Sequence, residues 1–187
     1  MSLSNVIAMV SIWGDTLEPK IKTSKNYKHW ISVEDLKRCV VCEENHGKIW
    51  SINDIPNLDP PVHPNCRCVI KPMQSIIAGT ATIKGDNGAD WYLKNKNKLP
   101  DYYIDSDTAF QSGWKPSKWP NFVPGKTMSN GIYKNKNRHL PHKENRVWYE
   151  ADINYKTGKR NDQRIVWSND GLIFVSFDHY ETFYEII

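Results

Sequence analysis

Glu150, Arg160, Arg164 and His179 together supply a proton acceptor, a proton donor and two fixed positive charges within one short stretch of chain. A carboxylate and an imidazole can both titrate near neutrality when their surroundings tune them, so the pair suits general acid and base work. Each such proton transfer typically contributes about 10²- to 10⁴-fold. Attack of a hydroxyl on its neighbouring phosphate needs these parts and no metal: a base for the hydroxyl proton, an acid for the departing oxygen, and cations for the crowded phosphorane. Taken alone the set is a weak pattern. A glutamate on an alternating strand is ordinarily solvated, the arginines would ordinarily pair with Asp152 or Asp162, and a turn histidine beside Asp178 would ordinarily cap or face water.

A second group of chemistry-bearing residues lies upstream. Cys39 and Cys42 form a C-x-x-C pair and Cys66 and Cys68 a C-x-C pair, with His46 and His63 close by. Four thiolates in two close pairs suit a tetrahedral structural zinc, which staples modules too poor in apolar surface to fold alone. Two disulfides in an oxidising compartment, or four free thiols, are the alternatives.

The elements that must position the first group read as β-structure. In "RVWYEADINY", Val147, Tyr149, Ala151, Ile153 and Tyr155 alternate with Arg146, Trp148, Glu150, Asp152 and Asn154, the period-two signature of a half-buried strand. One face is expected to be core and the other, open to solvent, to carry the chemistry. After a polar turn, "RIVWS", "LIFVSF" and "TFYEII" are short β-rich runs, joined by the hairpin signal Asn169-Asp170-Gly171 and by "DHYE". Upstream, Asn87 is expected to cap a helix ended by Pro100, and Ser106 or Asp107 to cap a shorter one terminated at Gly113. The fold class predicted is α+β, with N-terminal helices on a twisted antiparallel sheet, preceded by a small Cys-rich zinc-type module. The expected division is 1–38 N-terminal segment, 39–72 Cys-rich module, 73–87 linker and 88–187 main domain.

The chain has 187 residues, of which 39% are apolar and 25% charged, and no stretch approaches the roughly 20 apolar residues of a membrane span. No membrane partner is expected. The short apolar run from Val6 to Trp13 has no basic residues before it and no small-residue cleavage pattern, so no secretion signal is read there. The net charge of +4 is unevenly placed: Lys134, Lys136, Arg138, Lys143, Arg146, Lys156, Lys159, Arg160 and Arg164 face only Glu144, Glu150, Asp152 and Asp162, nine minus four, or +5, in one stretch. Such an excess could neutralise several phosphates, although a lysine-rich solvated face would look the same.

The run "WYEADINYKTGKRNDQRIVWSNDGLIFVSFDHYETFYEI" resembles, without a gap, the C-terminal half of barnase-like bacterial ribonucleases. "ADWYLKNKNKLPDYYI", "GW", "PGK", "IYKN" and "LP" stand upstream in the family's order, so the resemblance spans Gly88 to Ile187. It implies an endoribonuclease that cleaves RNA by 2′-hydroxyl attack through a 2′,3′-cyclic phosphate and takes no catalytic cofactor. Glu150 then falls on the general base and His179 on the general acid. Arg160 and Arg164 fall on the phosphate-binding arginines, Asp152 on the aspartate that orients them, and Tyr180 on a tyrosine lining the substrate site. The guanine-reading loop, Ser-Asn-Arg-Glu in the family, aligns with Lys134-Asn135-Lys136-Asn137, here expected to contact substrate with altered base preference. A family lysine that assists the phosphate falls on Ser106, leaving Lys126 or Lys134 to substitute. RNA is the expected partner, and a barstar-like inhibitor is implied by the resemblance alone.

"CVVCEENHGKI" to "PPVHPNCRC" also resembles the C-terminal end of phage minor head proteins of the Mu F type, a family to which toxin domains are sometimes appended. The combined expectation is a toxin-type ribonuclease on a phage-head-like module, leaving the cell by a non-classical route or with a phage, and acting outside it or in a target cell's cytoplasm. The alternatives are a phage structural protein whose C-terminal domain binds nucleic acid without cleaving it, and a zinc-dependent nuclease using His63 and the cysteines.

Overall fold

The computed structural model of the chain describes residues 17–114, 123–155 and 160–187. The apolar run Val6–Trp13, and Lys156 and Lys159 of the basic stretch, lie outside the described residues. Among the described residues no helix is long and apolar enough to cross a membrane.

The elements run β1 (Ile21–Ile31), α1 (Val40–Asn45), β2 (Ile49–Ser51), β3 (Val69–Ile76), α2 (Ala89–Lys96), β4 (Tyr103–Ile104), α3 (Ser106–Gln111), β5 (Thr127–Tyr133), β6 (Trp148–Asp152), β7 (Arg164–Ser168), β8 (Ile173–Ser176) and β9 (Tyr184–Ile186). The class is α+β, as expected, but the sheet is mixed rather than antiparallel. Its order is β2-β1-β3-β9-β8-β7-β6-β5-β4, with β3 parallel to β9 and β4 parallel to β5.

The two expected helices start within two residues of where the sequence places them, and the first stops three residues early. Gly88, not Asn87, is the N-cap of α2, and the helix ends at Asn97 in the left-handed region (φ 52°), before Pro100 is reached. Asp105, not Ser106 or Asp107, caps α3, its carboxylate accepting the Thr108 N–H at 2.7 Å. Gly113, at φ 86°, ends that helix as expected.

Two apolar clusters lie on opposite faces of the sheet. Ala151, Ile153, Ile165, Val175 and Ile186 pack with Ala89 and Leu93 of α2. Trp148, Val166, Phe174 and Phe183 pack with Leu140 of the β5–β6 loop and with Ile49 and Met73 of the N-terminal strands. The expected solvent-open face of β6 is therefore covered along part of its length. Glu150 sits where that cover ends.

The expected 73–87 linker does not separate two bodies. Residues 73–76 continue β3, which pairs with β9 through Ser75–Glu185 and Ile76–Ile186, and Met73 and Ile76 are fully buried. Glu185, 6% exposed, is held by Ser24 Oγ at 2.5 Å and Asn26 Nδ2 at 2.6 Å from β1. The sheet also curls until Ile49 N–H of β2 donates to His139 O of the β5–β6 loop at 2.7 Å. The chain that follows β3 is fastened by Asp90, wholly buried in α2, which accepts from Gly79 N, Ala81 N and Thr82 Oγ1 at 2.7–2.9 Å.

Candidate active site

Glu150 lies mid-strand in β6, with Gly131 of β5 opposite it on one side and Val166 of β7 on the other. A central strand position fixes the backbone, and the period of two places Trp148, Glu150 and Asp152 on one face. Trp148 is buried in the cluster beneath, and Glu150 is half-buried at its rim. Its Oε2 accepts the Tyr180 Oη–H at 2.5 Å.

Asp152, 1% exposed, is directly opposite Arg164 in the β6–β7 ladder. The carboxylate takes Arg160 Nε at 2.8 Å and Nη2 at 2.6 Å, a bidentate pair, and faces Arg164 Nε as an ion pair at 3.2 Å. Arg164 is further fixed by Nη1 donating to Asn161 O at 2.6 Å and Gln163 O at 2.8 Å. One buried carboxylate thus holds two guanidiniums, of which Arg164 is buried and Arg160 keeps 42% of its side chain exposed. Its hydrogen bonds to Asp152 push the Arg160 guanidinium further above its ordinary value.

His179 is set by a turn of unusual backbone. Asp178 Oδ1 accepts from Ser176 Oγ at 2.8 Å and Thr182 N at 2.9 Å, and Ser176 Oγ accepts from Tyr180 N at 2.8 Å. The His179 N–H donates across to Asp162 O at 2.9 Å. Both His179 (φ 58°) and Tyr180 (φ 73°) occupy the left-handed region, which costs non-glycine residues roughly 1–3 kcal/mol each and persists where surrounding bonds over-determine it. The outcome is an exposed imidazole whose ring centre lies 4.9 Å from that of Tyr180.

Tyr180 joins the two halves of the site. Its ring stacks on Tyr133 at the end of β5 (5.0 Å, 26°), and its hydroxyl reaches Glu150. Burial, then the hydrogen bond to Glu150, pushes its phenol well above the ordinary range, so it remains a donor at any physiological pH. Tyr133 is likewise pushed up to about 12, by burial first and Glu150 second. Tyr133 is not among the site residues expected from the sequence, where it stands in the "IYKN" segment.

The loop after β5 presents a more divided picture. Asn135 (φ 44°) spends its side chain on the loop itself: Nδ2 donates to Leu140 O at 2.9 Å and Oδ1 accepts Leu140 N–H at 3.2 Å. It holds the loop rather than reaching toward substrate. Lys134, Lys136 and Asn137 are exposed on that loop. Lys126, considered as a substitute cation, donates to Asp101 O at 3.4 Å.

The cysteines form a separate centre against Trp30, in a cluster that includes none of these residues. Cys39, Cys42 and His63 make one close group, and Cys42, Cys66 and Cys68 another. His63 enters it, an additional member beside the four cysteines, whereas His46 Nε2 lies 3.0 Å from Glu34 Oε1.

A ribonuclease family model matches residues 79–187. Ribonucleases of Heyndrickxia coagulans, Bacillus intermedius and Bacillus pumilus are each 41% identical to this chain over 108 residues, 57% of its length. The match covers 99% of the first of them and 67% of each of the other two.

Proposed function

This chain belongs to the ribonuclease family, and from that premise we propose that Glu150 and His179 carry out its reaction on RNA as general base and general acid. It is an RNA-cleaving hydrolase of metal-independent chemistry. The observation that carries the assignment of roles is the 2.5 Å hydrogen bond from Tyr180 to Glu150, which ties the turn bearing the imidazole to the strand bearing the carboxylate, beside two guanidiniums fixed on Asp152.

Glu150 takes the proton of the 2′-hydroxyl, whose oxygen attacks the adjacent phosphorus. The charge that builds on the phosphorane oxygens is met by the Arg160 and Arg164 pair, already held in place and so needing little reorganisation. His179, protonated, gives its proton to the departing 5′-oxygen, leaving a 2′,3′-cyclic phosphate and a 5′-hydroxyl. Water then opens the cycle with the two roles reversed. A site that only bound nucleic acid would gain nothing from a carboxylate facing a phosphate, which favours cleavage over simple binding.

The wider setting follows the same reading. The Cys-rich part serves as a phage-head-like carrier, the nuclease acts as a toxin, and a barstar-like inhibitor protects the producer. Incubation of the full chain with single-stranded RNA in a chelator, with end-group analysis of the fragments, tests the chemistry. Fragments ending in 2′,3′-cyclic phosphate and 5′-hydroxyl are expected. Fragments with 5′-phosphate, or cleavage that returns only with added metal, would overturn it.

A further inference from the structure

We propose that Cys39, Cys42, His63 and Cys66 bind one zinc ion, leaving Cys68 as a core thiol. The donors come from two tight turns, each offering residues three apart. Cys39 caps α1, and its Sγ accepts the Cys42 N–H at 3.4 Å. The second turn is closed by Cys66 N–H donating to His63 O at 3.1 Å, with Asn65 at φ 62° between them. Turns of this kind aim both donors of a pair at one point.

The two pairs meet. His63 Nε2 lies 3.2 Å from Cys39 Sγ and 3.4 Å from Cys42 Sγ, and Cys42 Sγ lies 3.9 Å from Cys66 Sγ. Two ligands of one tetrahedral zinc, at Zn–S of about 2.3 Å and Zn–N of about 2.0 Å, stand roughly 3.5 to 3.8 Å apart, and each of these contacts lies within about 0.3 Å of the separation expected for its pair. The 3.9 Å between Cys42 and Cys66 is far from a disulfide's roughly 2.05 Å, and all four thiols are free.

The imidazole orientation discriminates among ligand sets. His63 Nδ1 is 2.9 Å from Pro64 O, a contact only a donor can make favourably, so Nδ1 carries the proton and Nε2 turns a bare lone pair toward two sulfurs. This is the arrangement of a metal-ligating histidine with its outer-shell carbonyl. Cys68 has a different environment: it is 7% exposed, adjoins the start of β3 and belongs with fully buried Trp30 to the small apolar cluster. Cys68 groups with Cys42 and Cys66 but with neither Cys39 nor His63.

The module has reason to need a staple. α1 is six residues and β2 three, Val40, Val41, Ile55 and Leu58 are exposed, and the buried members of its cluster are Trp30, Cys42 and Cys68. So small a core supplies little folding free energy, whereas a structural zinc supplies it outright.

The full chain, made in zinc-replete and reducing conditions, would be analysed for metal and by X-ray absorption at the zinc edge. One zinc per chain with three sulfurs at about 2.3 Å and one nitrogen at about 2.0 Å is expected. Four sulfurs and no nitrogen, or no stoichiometric metal, would overturn the proposal. Among variants, Cys68→Ser should keep one zinc with an unchanged shell. His63→Ala should weaken zinc binding by more than about 100-fold, beyond the 10- to 100-fold of an outer-shell change. The reverse ranking would contradict the assignment, and the absorption measurement needs no variant to fold. Neither outcome touches the ribonuclease reading, which is tested by RNA cleavage.

Discussion

Glu150 and His179 are held in different ways, and their substitutions should differ in kind. Glu150 is half-buried on a central strand and hydrogen-bonded to Tyr180, while His179 projects from a turn whose strained backbone does the positioning. Glu150→Ala and His179→Ala should each slow RNA cleavage by about 10²- to 10⁴-fold with the circular dichroism spectrum unchanged. Tyr180→Phe keeps the ring stack on Tyr133 but removes a hydrogen bond to a charged group, worth about 1.5–3 kcal/mol, so a loss of roughly 10- to 100-fold in kcat is expected. Base preference belongs to this scale too. The acceptor-only glutamate of the family's loop is replaced by Asn137, which offers one carbonyl beside a donor, and Asn135 is occupied within the loop. Loss of one good bidentate contact costs about 1–3 kcal/mol of discrimination. Cleavage of dinucleotides varying the 5′ base should show weak preference; strong selection of guanine over the other three bases would show that the loop reads it through backbone groups.

Among the elements, the β6–β7 ladder matters most, because its register sets Asp152 opposite Arg164 and so builds the cationic pair. Asp152→Ala leaves two guanidiniums around a vacated carboxylate site, one of them buried, and should cost about 3–5 kcal/mol in denaturant unfolding as well as activity. Equal midpoints for variant and parent would contradict that. The alternation in "RVWYEADINY" made β6 and the shared face of Glu150 and Asp152 legible from the chain alone, since period two is a local property. What covers that face was not legible: Trp148 is buried by Ile49 and Met73, residues far upstream that no local pattern connects to it. The same holds for the caps. Asp105, Ser106 and Asp107 are all competent cap residues, and only the backbone's extended conformation at Asp105 (φ −77°, ψ 171°) selects the first. His63 stood beside the cysteines in the sequence, but its membership of their cluster depends on a chain reversal of more than twenty residues.

At the scale of the molecule, the module and the nuclease share one sheet, although the Heyndrickxia coagulans relative, matched over 99% of its length, has essentially only the matched region. A fragment of residues 79–187 should therefore fold and cleave RNA, yet be less stable than the full chain. It lacks the β3 ladder, buried Met73 and Ile76, and the partners of Glu185. Loss of apolar burial on this scale costs about 3 kcal/mol or more, which for a domain of this size lowers Tm by about 10 °C or more. A fragment as stable as the full chain would show that the shared sheet contributes nothing. The module also carries an acid sensitivity. Burial, then His46, depresses His29 on β1 from 6.5 to about 4. The folded state prefers the neutral ring, so its contribution is complete above pH 6.5 and is lost as pH falls through about 4, amounting to about 3 kcal/mol. Between pH 7 and 4 the Tm of the parent should fall more steeply than that of His29→Gln; parallel slopes would remove this account.

The pairing of Glu150 with His179 is tested most directly by the pH profile of kcat/KM for cyclisation of a single dinucleotide, measured in chelator for the parent and both alanine variants. A bell-shaped parent profile is predicted, with Glu150→Ala losing the acidic limb, His179→Ala losing the basic limb, and both falling by orders of magnitude at the optimum. Near-parental rates in either variant, or profiles that keep both limbs, would contradict it.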